Sequence, residues 1–262
     1  MTFTLTNGTV PMLVSMPHIG TDIPLELHGS YVPRAFEVED TDWHLARLYD
    51  FLPALGISVL QPRYSRYVID LNRPPDNAPM YPGAANTELC PTRFFSGDAL
   101  YKPGQEPSPQ EVQRRRTTCW QPYHDALAAE LARMKRIHGF ALLWDAHSIC
   151  SHIPWLFDGK LPDLNIGTAS GAAAAPAITD AVAKAADGFD HVVNGRFKGG
   201  YITRHYGQPA QHVHAIQLEK CQSLYMQELP PFAYDQALAL KLQPTLKRMV
   251  EASLQAARDL YD

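Results

Sequence analysis

The sequence predicts an α/β fold in which a largely parallel or mixed sheet is flanked by helices. Short apolar runs of strand length recur along the chain, and segments with helical periodicity separate them. No internal repeat and no linker interrupts this alternation. With 262 residues and 45% hydrophobic side chains, the chain can bury a substantial core. We therefore expect a single domain over residues 1–262.

The first half of the chain supplies three predicted strands and two predicted helices. "MLVSM" (12–16) and "ISVLQ" (57–61) are short apolar runs, and "RYVID" (66–70) is rich in β-branched and aromatic residues. The stretch from Trp43 to Leu55 has apolar residues at helical spacing. A long helical pattern follows, from about Gln110 to His138.

The second half of the chain continues the alternation. "FALLWD" (140–145), "HVVNG" (191–195) and "HAIQLE" (214–219) are the remaining predicted strands. An alanine-rich helix is predicted from about Pro176 to Ala186. The last predicted helix runs from about Tyr234 to Leu260.

Two long segments show neither helical nor strand periodicity and are predicted to be loops. Residues 72–109 are dense in proline and glycine, and residues 194–209 mix glycines with polar and aromatic side chains. Long loops inside a compact domain are usually functional or disordered. Because both segments carry aromatics and charges, we expect them to be ordered over a site.

Composition and charge argue against several kinds of partner. The net charge is only -4, and the dense basic run from Arg114 lies in a helical pattern, which favours a solvated helix face over a nucleic-acid patch. The four cysteines form no Cys-x-x-Cys pair, which favours reduced thiols. Residues 1–17 lack the basic and long apolar regions that are typical of a leader, and no window reaches the roughly 18 apolar residues of a membrane span. We expect a cytoplasmic protein that binds a small molecule but neither nucleic acid nor membrane; the oligomeric state is not specified by the sequence.

Familiar catalytic motifs are missing from the sequence. It contains no Gly-x-Ser-x-Gly elbow, no Walker-type phosphate loop, no Gly-x-Gly-x-x-Gly and no His-Glu-x-x-His. The missing motifs therefore argue against four enzyme classes: serine hydrolases, P-loop enzymes, Rossmann dehydrogenases and zinc proteases with a helical metal motif.

Polar side chains gather where the predicted strands end, which is where open α/β sheets bind their ligands. Two histidines and a carboxylate can hold a catalytic zinc ion, with a fourth position left for water. Zinc lowers the pKa of that water towards ~7, while an unligated glutamate accepts and later donates its proton. Glu219 is placed for that role, since a carboxylate in an apolar run is costly to bury. The strand-end residues are His18, Asp70, Arg73, Asp145, His147 and Glu219.

Eight segments of the sequence, taken in order, resemble one known family. They are "VSMPHIGTDIP", "DTDWHLARLYDF", "PRYSRYVIDLNRPPD", "LYKPGQEPS", "WDAHSI", "LPDLNIGTA", "NGRFKGGYITRHYGQP" and "HAIQLE". Together they are similar to the N-formylglutamate amidohydrolase (N-formylglutamate deformylase) family, from about residue 10 to about residue 230. The resemblance implies a fold of the zinc carboxypeptidase and aspartoacylase (phosphorylase/hydrolase-like) type. It also implies hydrolysis of N-formyl-L-glutamate to formate and L-glutamate in histidine breakdown.

The resemblance implies roles for individual residues. His18 and His147 match metal-binding histidines, and Glu219 matches the general base. The third ligand is expected to be Asp42 of "TDWH", with Asp22 as the second choice, because the His-x-x-Glu pair of zinc carboxypeptidases is broken here. Asp145 is expected to ligate the ion or to support a histidine ligand. The metal is expected to be Zn²⁺, although the same ligands accept Co²⁺, Mn²⁺ or Fe²⁺.

A dicarboxylate substrate requires cations and neutral donors in the pocket. Arginine suits this because its planar fork binds a carboxylate through two parallel hydrogen bonds. Arg73 and Arg204 rank first. The further candidates are Arg66, Arg196, Asn72, Asn194 and Tyr201.

Three alternatives to this function stay open from the sequence. A zinc hydrolase of another N-acyl amino acid or of a small peptide would use the same site. A cysteine amidase would use Cys150 or Cys221 near His147 and Glu219. A non-enzymatic protein could bind acidic ligands in the same pocket.

Overall fold

The computed structural model describes residues 1–80 and 87–261, which contain a seven-stranded sheet with helices on both faces. The part of the loop prediction that falls on residues 81–86 lies outside the described residues. The strands are β1 (Phe3–Thr6), β2 (Met12–Ser15), β3 (Ser58–Pro62), β4 (Ala141–Ile149), β5 (Leu164–Gly167), β6 (His191–Val193) and β7 (Val213–Cys221).

The strand order is β1-β3-β2-β4-β7-β5-β6, and the sheet is mixed. Strands β3, β2, β4 and β7 run parallel to one another, and β5 and β6 are parallel to each other. Strand β1 pairs antiparallel with β3, and β5 pairs antiparallel with β7. Strand β4 lies in the middle of the sheet and is buried at every position. The predicted α/β class with a mixed sheet between helices is therefore confirmed.

Helices cover both faces of the sheet, so the central strands read as continuous apolar runs. Long helix α6 (Gln236–Tyr261) packs against α4 (Pro176–Ala185) and, with Trp144 of β4, forms the core on one face. Helix α3 (Gln121–His138) and the short α5 (Tyr201–Tyr206) cover the other face, where Leu143 of β4 is buried. In the described part of the chain, no helix is long and apolar enough to cross a membrane. The helices are α1 (Leu45–Leu48), α2 (Pro109–Arg115), α3 (Gln121–His138), α4 (Pro176–Ala185), α5 (Tyr201–Tyr206) and α6 (Gln236–Tyr261).

The predicted strand at 66–70 is wrong. These residues form turns, and the Val68 N–H donates to the Ser65 carbonyl instead of to a neighbouring strand. The side chains of Tyr67, Val68 and Ile69 are nevertheless buried. The apolar composition of this segment therefore indicated burial and not a strand. The place beside β3 is taken by β1, which the sequence did not predict; β5 was also missed.

Two helix predictions and one strand boundary also need correction. The stretch 43–55 contains only the single turn α1 and a 3₁₀ turn at Pro53–Leu55, since Pro53 offers no N–H to continue an α-helix. The helix predicted at 110–138 is interrupted by a π turn at Arg116–Trp120. Strand β4 continues to Ile149, so "WDAHSI" lies inside the strand and not beyond its end.

Candidate active site

Three neighbouring strands deliver polar side chains to one edge of the sheet. Strands β4 and β7 are parallel, and their register places His147 directly beside Glu219. His18 lies just beyond the end of β2, the other neighbour of β4. All three side chains are buried. The structure thus brings two predicted metal histidines and the predicted base together.

Three buried side chains have ligand atoms of the kind and spacing that hold a metal ion. The ligand atoms of His18, Asp42 and His147 all lie within 4.8 Å of one another. Asp42 Oδ2 is 3.2 Å from His147 Nδ1 and 3.8 Å from His18 Nδ1. Tetrahedral zinc holds ligands at about 2.0–2.2 Å, which puts them roughly 3.3 Å apart. Small shifts would therefore close these residues around an ion.

Asp42 reaches this group from the segment before α1. Its main-chain N–H donates to the carbonyl of His18 at 3.0 Å. Its Oδ2 accepts from the N–H of Ser148 in β4 at 3.2 Å. Two hydrogen bonds to the elements that carry the histidines thus fix the carboxylate between them.

A buried carboxylate orients each histidine from the far side of its ring. The Nε2–H of His18 donates to Asp70 Oδ1 at 2.7 Å, and His147 Nε2 lies 3.0 Å from Asp145 Oδ2. Both rings consequently present Nδ1 to the space beside Asp42. Metal-binding histidines usually have such a carboxylate partner, because it fixes the tautomer and raises the basicity of the ring.

The electrostatics of the group also suit a bound cation. Burial works against a charge on Asp70, but His18 and Arg66 outweigh it and hold the pKa of Asp70 well below its usual range. Burial likewise opposes a proton on His147, yet Asp145 and Asp42 outweigh it and raise the pKa of His147 to about 10. A divalent cation would take the place of that proton, since a histidine ligand must be neutral.

Glu219 has the environment of a general base. It is buried, and in the described part of the chain its Oε1 has no hydrogen-bond partner. Burial raises the pKa of Glu219 to about 7, against the opposing charge of His147. A carboxylate with a pKa near neutrality can both accept and return a proton at working pH.

Three of the four predicted arginines line the pocket beside this group. Arg66, Arg73 and Arg196 all contribute to its wall. Arg66 donates to Asp70 Oδ2 at 2.7 Å. Arg73 donates from Nε to the Thr87 carbonyl at 3.0 Å and from Nη2 to the Thr87 hydroxyl at 2.6 Å. The guanidinium groups of Arg66 and Arg73 are thus held in place, and all three arginines supply positive charge to the cavity.

Asn72 lines the pocket, but its side chain also holds neighbouring groups. Its Oδ1 accepts from the N–H of Ile202 at 2.8 Å, and its Nδ2 donates to Asp145 Oδ2 at 3.3 Å. A Cβ at Gly200 would lie 2.3 Å from Asn72 Nδ2, so only glycine permits this close approach. Asn72 therefore links the loop before Thr87 to the carboxylate that orients His147.

The remaining predicted substrate residues do not belong to the pocket wall as far as the described residues define it. Arg204 donates from Nε to the carbonyl of Gly199 at 2.8 Å. Asn194 closes a turn, because its Oδ1 accepts from the N–H of Thr168 at 2.9 Å. Tyr201 packs its ring against Trp120 and His124.

Asp22, the second choice for the third ligand, lies away from the histidines. Its Oδ2 is 2.7 Å from Nε of Arg63, and both side chains are about half exposed. Among the described residues it is not part of the group that could hold a metal. The structure brings Asp42, and not Asp22, to His18 and His147.

Neither cysteine proposed as a nucleophile belongs to the described pocket wall. Burial raises the pKa of both thiols to about 12, so neither is a thiolate near neutral pH. Cys221 Sγ lies 3.4 Å from the carbonyl of Pro162, and Cys150 Sγ lies 3.4 Å from Gln222 Oε1. This geometry argues against a cysteine amidase.

Sequence reasoning missed several residues of the pocket wall. Gln217 stands two residues before Glu219 on β7, and its Oε1 accepts from the N–H of Gly200 at 2.7 Å. The twofold periodicity of a strand was a signal for it, since residues two apart share a face. No local pattern distinguished the apolar part of the wall, which consists of Phe95, Ile149, Leu156 and Phe197.

Comparison with known proteins identifies relatives over nearly the whole chain. The model of the family described as N-formylglutamate amidohydrolase matches residues 10–226. An N-formylglutamate deformylase of Pseudomonas aeruginosa is 52% identical over 257 residues, covering 97% of this chain and 96% of the relative. An N-formylglutamate deformylase of Pseudomonas putida is 50% identical over the same length and coverage.

Solved structures share the fold. A crystal structure of N-formylglutamate amidohydrolase from Ralstonia eutropha matches with a TM-score of 0.81 at 24% identity, covering 98% of this chain and 97% of that chain. A gene product of Agrobacterium tumefaciens matches with a TM-score of 0.71 at 17% identity, covering 96% and 94%. The family match and the two 50–52% identical relatives confirm the resemblance seen in the sequence. The chain belongs to the N-formylglutamate amidohydrolase family.

Proposed function

We propose that the protein is a zinc-dependent amidohydrolase that converts N-formyl-L-glutamate and water to formate and L-glutamate, as the last step of a histidine degradation route. The observation that carries the proposal is the composition of one pocket, in which metal-ligand side chains, a buried base and three guanidinium groups lie together. The names of the two Pseudomonas relatives supply the substrate.

We propose His18, Asp42 and His147 as the metal ligands. Two imidazoles and one carboxylate suit zinc, and Co²⁺ or Mn²⁺ would be accepted by the same donors. When bound, such an ion lowers the pKa of a coordinated water towards ~7 and polarises a carbonyl group.

Glu219 moves the proton in the proposed reaction. It accepts a proton from the water whose oxygen adds to the formyl carbon. It then delivers that proton to the amide nitrogen, the C–N bond breaks, and the amine of glutamate leaves. Burial of Glu219 supports this role because it favours the neutral form that stores the proton.

The arginines of the pocket bind the two carboxylates of the substrate in this proposal. Arg66, Arg73 and Arg196 all line the pocket, and Nη1 of Arg66 lies 4.0 Å from Oδ1 of the proposed metal ligand Asp42. We therefore assign carboxylate binding first to Arg73 and Arg196. Formyl is the smallest acyl group, so a narrow pocket beside the ligands would favour it over larger acyl caps.

Arg73→Ala is expected to raise KM for N-formyl-L-glutamate by at least ~10-fold, because a charged hydrogen-bonded pair is lost in a desolvated pocket. We expect kcat and metal content to change less than KM, since Arg73 is not among the residues whose ligand atoms converge. Steady-state formate release would measure both constants.

Arg93→Ala is the matched control for this variant. Arg93 lies on the surface further along the same loop and donates to the carbonyl of Gly97. It should leave KM unchanged. An Arg73→Ala enzyme with the KM of the parent would remove Arg73 from the substrate site.

A hydrolase of another N-acyl amino acid is the nearest rival function, because it would use the same site. Competition among N-formyl-L-glutamate, N-formyl-L-aspartate and N-acetyl-L-glutamate separates the two. We expect kcat/KM to fall at least ~10-fold for the shortened and for the acetylated compound, as one methylene in a fitted pocket is worth about 1–3 kcal/mol. Faster hydrolysis of the acetyl compound would favour the rival.

We place the reaction in the cytosol. All four cysteines are free, which supports a reducing compartment.

An alkylating reagent should leave activity intact if the proposed metal mechanism is right. Inactivation by alkylation, together with indifference to a chelator, would favour a cysteine mechanism instead.

A further inference from the structure

Three consecutive main-chain carbonyl groups, at residues 71–73, each accept a hydrogen bond from the helices beside them. The Nε2–H of His124 donates to the first carbonyl at 2.9 Å. The main-chain N–H of Tyr201 donates to the second at 3.4 Å, and the indole Nε1–H of Trp120 donates to the third at 3.0 Å. Side chains of the π turn and of α3, together with the start of α5, therefore hold the path of this segment.

The three donors form one packed unit, which we call the aromatic clamp and define as Trp120, His124 and Tyr201. The rings of Trp120 and His124 stack with centroids 3.7 Å apart at 22°. The ring of Tyr201 lies 5.6 Å from the first and 5.5 Å from the second. Trp120 and His124 are almost completely buried. The clamp is thus a rigid surface against which residues 71–73 lie.

A π turn sets the direction of the clamp. The helix that begins at Pro109 widens at Arg116–Trp120 before α3 continues to His138. A π turn adds a residue to the helix and so rotates the side chains that follow, and such turns occur frequently at functional sites. Trp120 ends the π turn, and His124 follows four residues later on the same face of the helix.

The segment held by the clamp carries two residues of the proposed site. The side chain of Asn72 donates to Asp145, which orients His147. Arg73 follows at once and lines the pocket. The indole N–H of Trp120 donates to the main-chain carbonyl of Arg73. It therefore holds the main chain at the point from which the arginine side chain extends.

We propose that Trp120, through this clamp, is a positioning residue that fixes the main chain of Arg73 and thereby sets the affinity of the enzyme for the carboxylate of its substrate. The inference rests on the proposed function for its substrate. The indole of Trp120 bonds the carbonyl of Arg73 and not that of Asn72, so we expect its effect to fall on substrate binding more than on the metal ligands or Glu219.

The test is Trp120→Phe, which keeps an aromatic ring and removes the N–H donor. We expect KM for N-formyl-L-glutamate to rise about fivefold to tenfold, in line with the loss of one hydrogen bond. We expect kcat to stay within about twofold and metal content to stay unchanged. Trp144→Phe is the matched control, because its indole donates to Tyr49 on the other face of the sheet and should leave KM unaltered.

A double-mutant cycle with Arg73→Ala separates positioning from a general structural effect. If Trp120 acts through Arg73, the double variant will have the KM of Arg73→Ala alone. Multiplied KM effects in the double variant, or equal changes in kcat and KM in Trp120→Phe, would overturn the proposal.

Hydrogen exchange tests the clamp without relying on the reaction. We expect peptides covering residues 70–75 to exchange at least ~10-fold faster in Trp120→Phe than in the parent, with unchanged exchange in the strands. Unchanged exchange in that segment would overturn the proposal even in an active enzyme. A parent protein that releases no formate would contradict the proposed function, while the exchange comparison would still decide whether the clamp holds the segment.

Discussion

Glu219→Gln is expected to lower kcat by at least ~10²-fold, the typical loss when a general acid or base is removed. The amide has nearly the same shape as the carboxyl group but cannot accept a proton. We expect one metal ion per chain to be retained, since Glu219 is not among the three residues whose ligand atoms converge. Formate release and elemental analysis would measure the two quantities.

Glu130→Gln is a suitable control for the loss of a buried carboxylate. Glu130 is buried in α3 and bonds Ser58 and Arg133, away from the pocket. Its variant should be less stable yet keep the kcat of the parent. Loss of the metal from Glu219→Gln would mean that Glu219 is a ligand and not the base.

Glu219→Gln should also stabilise the metal-free protein, because burying the charged carboxylate of Glu219 is unfavourable and the amide carries no charge. Burial raises the folded-state pKa of Glu219 from 4.5 to about 7. The folded state therefore binds the proton more tightly than the unfolded state, and stability falls as pH rises from about 4.5 to about 7. Above that range the penalty is on the order of 3 kcal/mol.

Denaturant unfolding in the presence of a chelator would measure this effect at pH 5 and at pH 8. Glu219→Gln should be more stable than the parent at pH 8, and the difference should shrink at pH 5. A parent that is the more stable protein at pH 8 would show that Glu219 is not under electrostatic strain.

His147→Ala is expected to abolish metal binding and, with it, activity. His147 is one of the two proposed nitrogen ligands, and its neighbours Asp42 and Asp145 are arranged around its ring. Without the imidazole, only two protein ligands remain, whereas a catalytic zinc site uses three protein ligands and leaves the fourth position to water. Asp145→Asn should have a graded effect, weakening metal affinity by about 10- to 100-fold, because it only orients His147.

His214→Ala is the matched control for the histidine variant. His214 is a buried histidine on β7 whose Nε2 bonds the hydroxyl of Tyr261, and it takes no part in the metal group. It should retain one ion per chain. Retention of one ion per chain by His147→Ala would refute the assignment of His147 as a ligand.

The strands at the centre of the fold could be predicted from the sequence because they are buried on both faces. "FALLWD" and "HAIQLE" are apolar runs for this reason, and the charged residues within or just after them stood out as costly. The short strands β1 and β5 lack such runs and were missed. The segment 66–70 has the composition of a strand, but its apolar side chains are buried from turns.

The polar residues at the centre of the candidate site could be predicted from the sequence, whereas the apolar residues of the pocket wall could not. His18, His147 and Glu219 each follow or lie within a recognisable strand, so the parallel sheet brings them to one edge. Phe95, Leu156 and Phe197 come from loops, and their arrival at the pocket depends on packing between distant segments. The contact of Trp120 with residues 71–73 is of the same kind, because it requires a π turn that no local pattern indicated.

Formate release from N-formyl-L-glutamate, measured on one preparation before chelation, after chelation and after zinc is restored, decides whether the proposed hydrolysis requires a bound zinc ion. Metal content should be counted at each stage. We expect activity to disappear with the ion and to return when one zinc ion per chain is bound. Full activity in protein shown to be free of metal would contradict the proposed zinc mechanism.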